Sequence, residues 1–222
     1  MARITSSIPR RSDLKPSGTP ELDDLRQRLL RAIARSDPPS SDFDLNPKVS
    51  LPPNRKLRQA GVLIGIVPDR DTPRVVLTKR SSALKHHPGQ IAFPGGKVDE
   101  GDDGPVGAAL REAEEEIGLE RGRVEVLGRL APHETVTGFE VTPALGLIDR
   151  PQAFVAEVGE VDEVFEVPLA HCLDRSLYSV QSRQWRGQAR AYFTVPWGPY
   201  YIWGATARML RGLAERMADD AN

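Results

Sequence analysis

Residues 95–119 read GGKVDEGDDGPVGAALREAEEEIGL. A glycine pair, Gly95-Gly96, opens the stretch, and a short acidic loop follows. The rest has helical period over 105–117: Val106, Leu110, Ala113 and Ile117 gather on one face that can pack on a core. Gly118 stands where such a helix should stop, because glycine accepts the left-handed conformation that ends helices. Glu112, Glu115 and Glu116 lie at i, i+3 and i+4, so they share a second face.

As bare structure that second face is unfavourable. Like charges at these spacings cost roughly 0.2–0.5 kcal/mol per pair. Acids near a helix C-terminus oppose the macrodipole by about 0.3–1 kcal/mol each. A divalent cation removes both costs. Clustered carboxylate oxygens suit Mg²⁺ or Mn²⁺, and Mg²⁺ commonly shares its shell with water and substrate phosphates. An isolated EAEEE run reads as a solvated face with Arg111 pairing to Glu115. The glycine turn upstream sets this run apart.

The combination resembles the Nudix hydrolase box, Gly-x5-Glu-x7-Arg-Glu-apolar-x-Glu-Glu-x-Gly-apolar. Gly96, Arg111, Glu112, Ala113, Glu115, Glu116, Gly118 and Leu119 occupy its main positions. Two departures are visible. The stretch from Gly96 to Arg111 is one residue longer than in the common box, and the loop acid is Asp102 or Asp103 rather than Glu.

A second motif precedes the box. Val76-Leu77-Thr78-Lys79-Arg80-Ser81 leads through Lys85 and Gly89 into Phe93-Pro94-Gly95-Gly96. This resembles the additional signature of the coenzyme A pyrophosphatase branch of the Nudix family. Val76 stands where that signature has leucine and Lys85 where it has arginine, which keeps a positive charge but loses bidentate geometry. Thr137-Gly138-Phe139 and Ile202-Trp203-Gly204 also look like that branch. The resemblance covers roughly residues 58–212.

It implies metal-dependent attack of water on the pyrophosphate of coenzyme A or an acyl-coenzyme A. The products would be 4′-phosphopantetheine and adenosine 3′,5′-bisphosphate. By the resemblance Glu112, Glu115 and Glu116 are the metal ligands, with a carbonyl of Gly95 or Gly96 completing a shell around Mg²⁺ or Mn²⁺. Arg111 orients a carboxylate. Glu160, on a loop before a strand, is the first candidate for a further acid, and Glu163 the second. Arg80 and Lys85 are expected on substrate phosphate, with Ser81, Gly89 and Phe93 in the same substrate segment. His86 and His87 read as ordinary loop histidines, since adjacent residues have no metal-ligand spacing.

Composition narrows the rest. The chain has 222 residues and a net charge of −1, which argues against electrostatic binding to nucleic acid or an anionic membrane. No apolar run approaches the roughly 20 residues needed to span a bilayer. One cysteine, Cys172, excludes an intramolecular disulfide and fits a reduced cytoplasm.

Residues 1–56 read as an extension. It comprises a polar, mobile tail to 18, a helix over 20–35 carried by Leu22, Leu25, Leu29 and Ile33, and a Pro- and Ser-rich linker. That helix could cover a sheet edge, shield the site, or contact a second copy in a homodimer. Residues 57–218 read as the hydrolase domain. Strands are expected at 61–67, 74–78, 124–130, 139–148 and 164–167, with a hairpin over 178–195 and a C-terminal helix over 203–217. Strands and helices intermingle without βαβ alternation, which favours a mixed β-sheet with helices on both faces, an α/β/α sandwich. Trp185, Trp197 and Trp203 read as core or interface aromatics. The rival readings are a Nudix pyrophosphatase acting on ADP-ribose or another nucleoside diphosphate derivative, and a non-catalytic Nudix-like ligand-binding domain.

Overall fold

The computed structural model describes residues 19–49, 55–69, 72–149, 153–185 and 187–218. The tail over 1–18 lies outside them, and so does the side chain of Trp185. In chain order the elements are α1 (Pro20–Ala34), β1 (Ser40–Ser41), β2 (Arg58–Val67), β3 (Arg74–Arg80), β4 (Ile91–Ala92), β5 (Gly95–Lys97), α2 (Gly104–Ile117), β6 (Val124–Arg129), β7 (His133–Glu134), β8 (Phe139–Ile148), β9 (Val161–Pro168), α3 (Leu169–Leu173), β10 (Ser179–Trp185), β11 (Gln188–Thr194) and α4 (Gly204–Ala218).

The two longest apolar runs lie side by side at the centre. β2 and β8 pair in parallel from Arg58↔Phe139 to Ile66↔Leu147. Both are covered on both faces, so their sequences run apolar almost without a break. Alternation then sorts the side chains. Leu63, Val67, Ala144 and Ile148 meet α2 through Ala109, Ala113 and Ile117. Ile64, Ile66, Leu145 and Leu147 join Leu25 and Leu29 of α1 and Leu210 and Leu213 of α4. The expected α/β/α sandwich with a mixed sheet is the observed architecture.

The sheet is forked. β2 and β3 pair antiparallel only at Ile66↔Val75 and Val67↔Arg74. Beyond that they separate, and the segment 91–97 fills the fork. β4 pairs with β3 through Lys79↔Ile91, and β5 pairs with β2 through Ala60↔Lys97 and Val62↔Gly95. The Leu63 N–H donates to the Pro94 carbonyl at 2.8 Å, which closes the wedge. The glycine pair, which reads as a turn in the sequence, is itself part of a strand. Pairing there is possible because residues without side chains fit between two diverging strands. β9 runs along the other side of β3 and is longer than expected, because Asp162 and Glu163 are exposed polar residues on a paired strand.

Gly61 fixes the distance between sheet and helix. A Cβ built there would stand 1.7 Å from the Pro105 carbonyl oxygen. We therefore expect Gly61→Ala to push the first turn of α2 off the sheet and to cost about 3 kcal/mol or more, at or above the upper end of overpacking effects. Gly122→Ala, with open space around it, is the control. Equal melting temperatures for the two variants would contradict this account.

Candidate active site

Three local structures bring the site together: the wedge in the sheet fork, the C-terminal half of α2, and the ends of β3 and β9. α2 begins with Pro105, whose missing N–H costs nothing in the first turn. It ends at Gly118, with φ 66°, where the Gly118 N–H returns to the Glu114 carbonyl at 3.1 Å. That stop places Glu112 and Glu116 against the glycine wedge.

Glu116 is 4 % exposed. Its Oε2 accepts from the Gly95 N–H at 3.1 Å, and its Oε1 lies 3.8 Å from Arg80 Nη1. Burial pushes its carboxyl from the ordinary 4.5 to about 7, against the Gly95 hydrogen bond and Arg80, which favour the charged form. Glu112 packs on Gly96 so closely that a Cβ on that glycine would meet its Oε1 at 2.3 Å. Burial raises its carboxyl as well, and Glu115 and Glu160 add to the rise while Arg111 opposes it. Glu115 is 55 % exposed and sits outermost, accepting from Arg111 Nη1 at 2.8 Å.

Arg111 is the hub of the cluster. Its Nε and Nη2 donate to the two carboxylate oxygens of Asp102 at 2.9 and 3.1 Å, a bidentate pair. Its Nη2 also donates to the Lys97 carbonyl at 3.2 Å, and its Nη1 lies 3.0 Å from Glu112 Oε1. The hydrogen bonds from Arg111 hold Asp102 below the usual carboxylate range. Sequence left the loop acid open between Asp102 and Asp103. Asp102 makes the contact, while Asp103 stands at the helix N-cap without a side-chain cap bond.

The loop before β9 locks onto the same place. The Glu157 N–H donates to the Glu116 carbonyl at 2.9 Å, and the Ser81 N–H donates to the Glu160 carbonyl at 2.8 Å. The negative charge of Glu160 is felt at both Glu112 and Glu116. Gly95, Gly96, Glu112, Glu116, Arg80, Arg111 and Glu160 are thus brought together, with Glu115 at the rim. Ser81 is buried, and its hydroxyl accepts from the Ala83 N–H at 3.3 Å, so it shapes the turn. Phe93 lies in the core behind the wedge. Lys85 is exposed on the loop, and Gly89, with φ 68°, turns that loop back to β4.

Among the described residues no three Asp, Glu, His or Cys side chains are already gathered closely enough to hold a metal ion. The donor set nevertheless fits a hard dication. Two carboxylates are raised by burial, and the shared cation Arg111 is committed to Asp102. Sequence missed that Arg80 reaches Glu116; the bulge between Lys79 and Arg80, which redirects the strand there, has no sequence signal. A cleft of about 310 Å³ between Gly118, Arg123, Asp149, Phe154 and Glu166 lies past the C-terminal end of α2 and includes none of the predicted catalytic, metal or substrate residues.

The bidentate pair predicts an asymmetry between the two loop acids. Asp102→Asn should lower the melting temperature at neutral pH, and Asp103→Asn should leave it unchanged. For Asp102, stability is present above the ordinary carboxyl value of 3.8 and is lost as pH falls through the depressed one. Thermal melts of both variants decide the matter, and equal losses would refute the assignment.

Comparison with known proteins places the chain in a family. Residues 57–180 match the model of the NUDIX domain. The protein named "Uncharacterized Nudix hydrolase NudL" of Escherichia coli (strain K12) is 45 % identical over 157 residues, which is 71 % of this chain and 81 % of that protein. Its namesake of Shigella flexneri is 43 % identical over 170 residues, covering 77 % and 88 %. Among solved structures, the Nudix hydrolase RenU of M. smegmatis aligns with a TM-score of 0.44 at 23 % identity, over 51 % of this chain and 72 % of that one. The NUDIX domain of Shewanella oneidensis NrtR, complexed with ADP ribose, aligns with a TM-score of 0.47 at 17 % identity, over 78 % and 94 %. With the box helix, its glycine wedge and the arginine hub in place, this chain belongs to the Nudix hydrolase family.

Proposed function

We propose that this hydrolase cleaves the pyrophosphate of coenzyme A or its acyl derivatives, giving 4′-phosphopantetheine and adenosine 3′,5′-bisphosphate. The observation that carries the reading is the contact of Arg80 with Glu116. The motif that resembles the coenzyme A signature is folded directly onto the acidic helix, where a cation there can face a bound phosphate.

Glu112 and Glu116 would hold Mg²⁺ or Mn²⁺, with Glu115 from the rim and a carbonyl of Gly95 or Gly96. When bound, the metal supplies charge neutralisation for the pyrophosphate and a polarised water. Arg111 keeps the ligand helix and the acidic loop in register. Arg80 and Lys85 bind substrate phosphates. Glu160 faces the same space and would take the proton from the attacking water. Cys172 is buried, and its thiol is pushed up to about 12, so it takes no part; a single reduced thiol suits the cytoplasm.

A product assay tests the reading. Coenzyme A, acetyl-coenzyme A, ADP-ribose, NADH and 8-oxo-dGTP are compared with Mg²⁺ or Mn²⁺, beside Glu116→Gln and Arg80→Ala. We expect coenzyme A to yield the two named products, Glu116→Gln to lose about a thousandfold or more in kcat, and Arg80→Ala to raise KM about tenfold, as for lost charge-assisted bonds. Preference for ADP-ribose, with Arg80→Ala indifferent, would sink the substrate assignment and leave the hydrolase.

Glu116 also predicts a pH dependence of the metal-free protein. Its folded value is raised, so the stability it contributes is present below the ordinary 4.5 and lost as pH rises through about 7. Melts in the presence of chelator should fall across that window. Glu116→Gln should flatten the fall, and added Mg²⁺ should raise the melting temperature mainly above it.

A further inference from the structure

The strand pair that carries Arg80 has one residue too many. Lys79 of β3 faces Glu163 of β9, but the next residue, Arg80, faces Val161. Asp162 is therefore the extra residue of a bulge, with no partner of its own across the ladder. Its carboxylate crosses the gap instead: Oδ2 accepts from the Ser82 N–H at 3.0 Å. The Ser82 N–H, with the hydroxyls of Ser81 and Ser82 and the charge of Lys79 behind it, holds the carboxyl below the usual carboxylate range. Asp162 is exposed, so it adds no packing to the core.

That bond completes a frame around Arg80. The Ser81 N–H donates to the Glu160 carbonyl at 2.8 Å, so two consecutive amides of the turn after β3 are held by the start of β9. On the other side the loop returns to the same residue. The Arg80 N–H donates to the Gln90 carbonyl, and the Arg80 carbonyl accepts from the Gly89 N–H, both at 3.0 Å. The main chain of Arg80 is thus fixed from two directions at the point where the ladder is irregular, and its guanidinium ends 3.8 Å from Glu116. A small turn of the backbone there would be magnified along so long a side chain, and misplacement of about 1 Å in a site can cost heavily in rate. Glu163, the second candidate for a further acid, is already engaged by the Tyr200 hydroxyl, which donates to it.

We propose that Asp162 is a positioning residue of the active site. Its bond to the Ser82 N–H holds the bulge in register, and the bulge aims Arg80 at the phosphate that stands before the acidic helix. Asp162 touches no substrate atom and acts through Arg80. Which phosphate compound Arg80 meets rests on the function proposed above.

The test sets Asp162→Ala beside Asp162→Asn, which keeps a side-chain oxygen for the Ser82 N–H, and beside Arg80→Ala alone and combined with Asp162→Ala. With coenzyme A and Mg²⁺, Asp162→Ala should raise KM about fivefold, the worth of one hydrogen bond, and leave kcat unchanged. Asp162→Asn should restore KM. The double variant should be no worse than Arg80→Ala, because two residues that act through one contact do not add. Melting temperatures should hold, as for other exposed positions. A wild-type KM in Asp162→Ala overturns the assignment, and so does a double variant in which the two losses multiply. A wild type that cleaves no coenzyme A overturns the substrate reading instead. Titration of inorganic pyrophosphate with Mg²⁺ then judges Asp162: binding weakened in Asp162→Ala and restored in Asp162→Asn retains the role, and equal binding by all three proteins removes it.

Discussion

The structure depends on one close approach, the contact of α2 with β2 at Gly61. With the Pro105 carbonyl where a Cβ would stand, the helix lies lower on the sheet than any side chain would allow. Only at that depth can the Glu116 carboxylate meet the Gly95 N–H, and only with Gly96 bare can Glu112 lie against the wedge. The fork between β2 and β3 serves the same end. It admits the glycine pair beside the helix, so a backbone N–H rather than a side chain meets Glu116.

Charge on this helix is arranged rather than merely tolerated. Three glutamates on two turns repel one another, and no basic residue stands in the last turn of α2. Arg111 spends its fork on Asp102 and touches Glu112 and Glu115 from the side, while Arg80 approaches Glu116 from another strand at 3.8 Å. Burial outweighs both cations, so both Glu112 and Glu116 are pushed toward their protonated forms. A dication between them and a phosphate would complete the balance, and the family generally works with divalent ions. The carboxylates are thus held near one another and under-compensated, a state that favours binding over rest.

Much of this was legible in the residues, and the limits are instructive. The helix, its stop at Gly118 and the sharing of a face by Glu112 and Glu116 follow from spacing alone. So do β2 and β8, because apolar runs buried on both faces are hard to mistake. The pairing of β5 was not legible, since Gly95-Gly96-Lys97 has no strand propensity and pairs only because two other strands diverge. Asp102 could not be told from Asp103, because the choice depends on where a remodelled loop brings its second acid. Arg80 was read as facing substrate alone. Its approach to Glu116 follows from the bulge in β3, a tertiary feature.

The N-terminal segment illustrates the same dependence on long-range contacts. By composition it looked like an extension with a linker, yet Leu25, Leu29 and Ala32 lie in the main core. β1 adds to the sheet through Ser40↔His133, which covers the edge of β7. His133 is fully buried there, with Ser40 Oγ at 2.9 Å from Nδ1 and Asp42 Oδ1 at 3.1 Å from Nε2. At the far end Arg216 of α4 is buried, bonded to the Ala32 and Arg35 carbonyls at 3.1 and 2.9 Å and ion-paired to Asp37. Those carbonyls are the ones a helix end leaves without partners, so α4 supplies the cap that α1 lacks in its own sequence. A buried arginine whose partners lie almost a chain length away has no local signature. The helix itself packs into the core beside α4, and the edge of β7 is covered instead by β1, which the linker supplies.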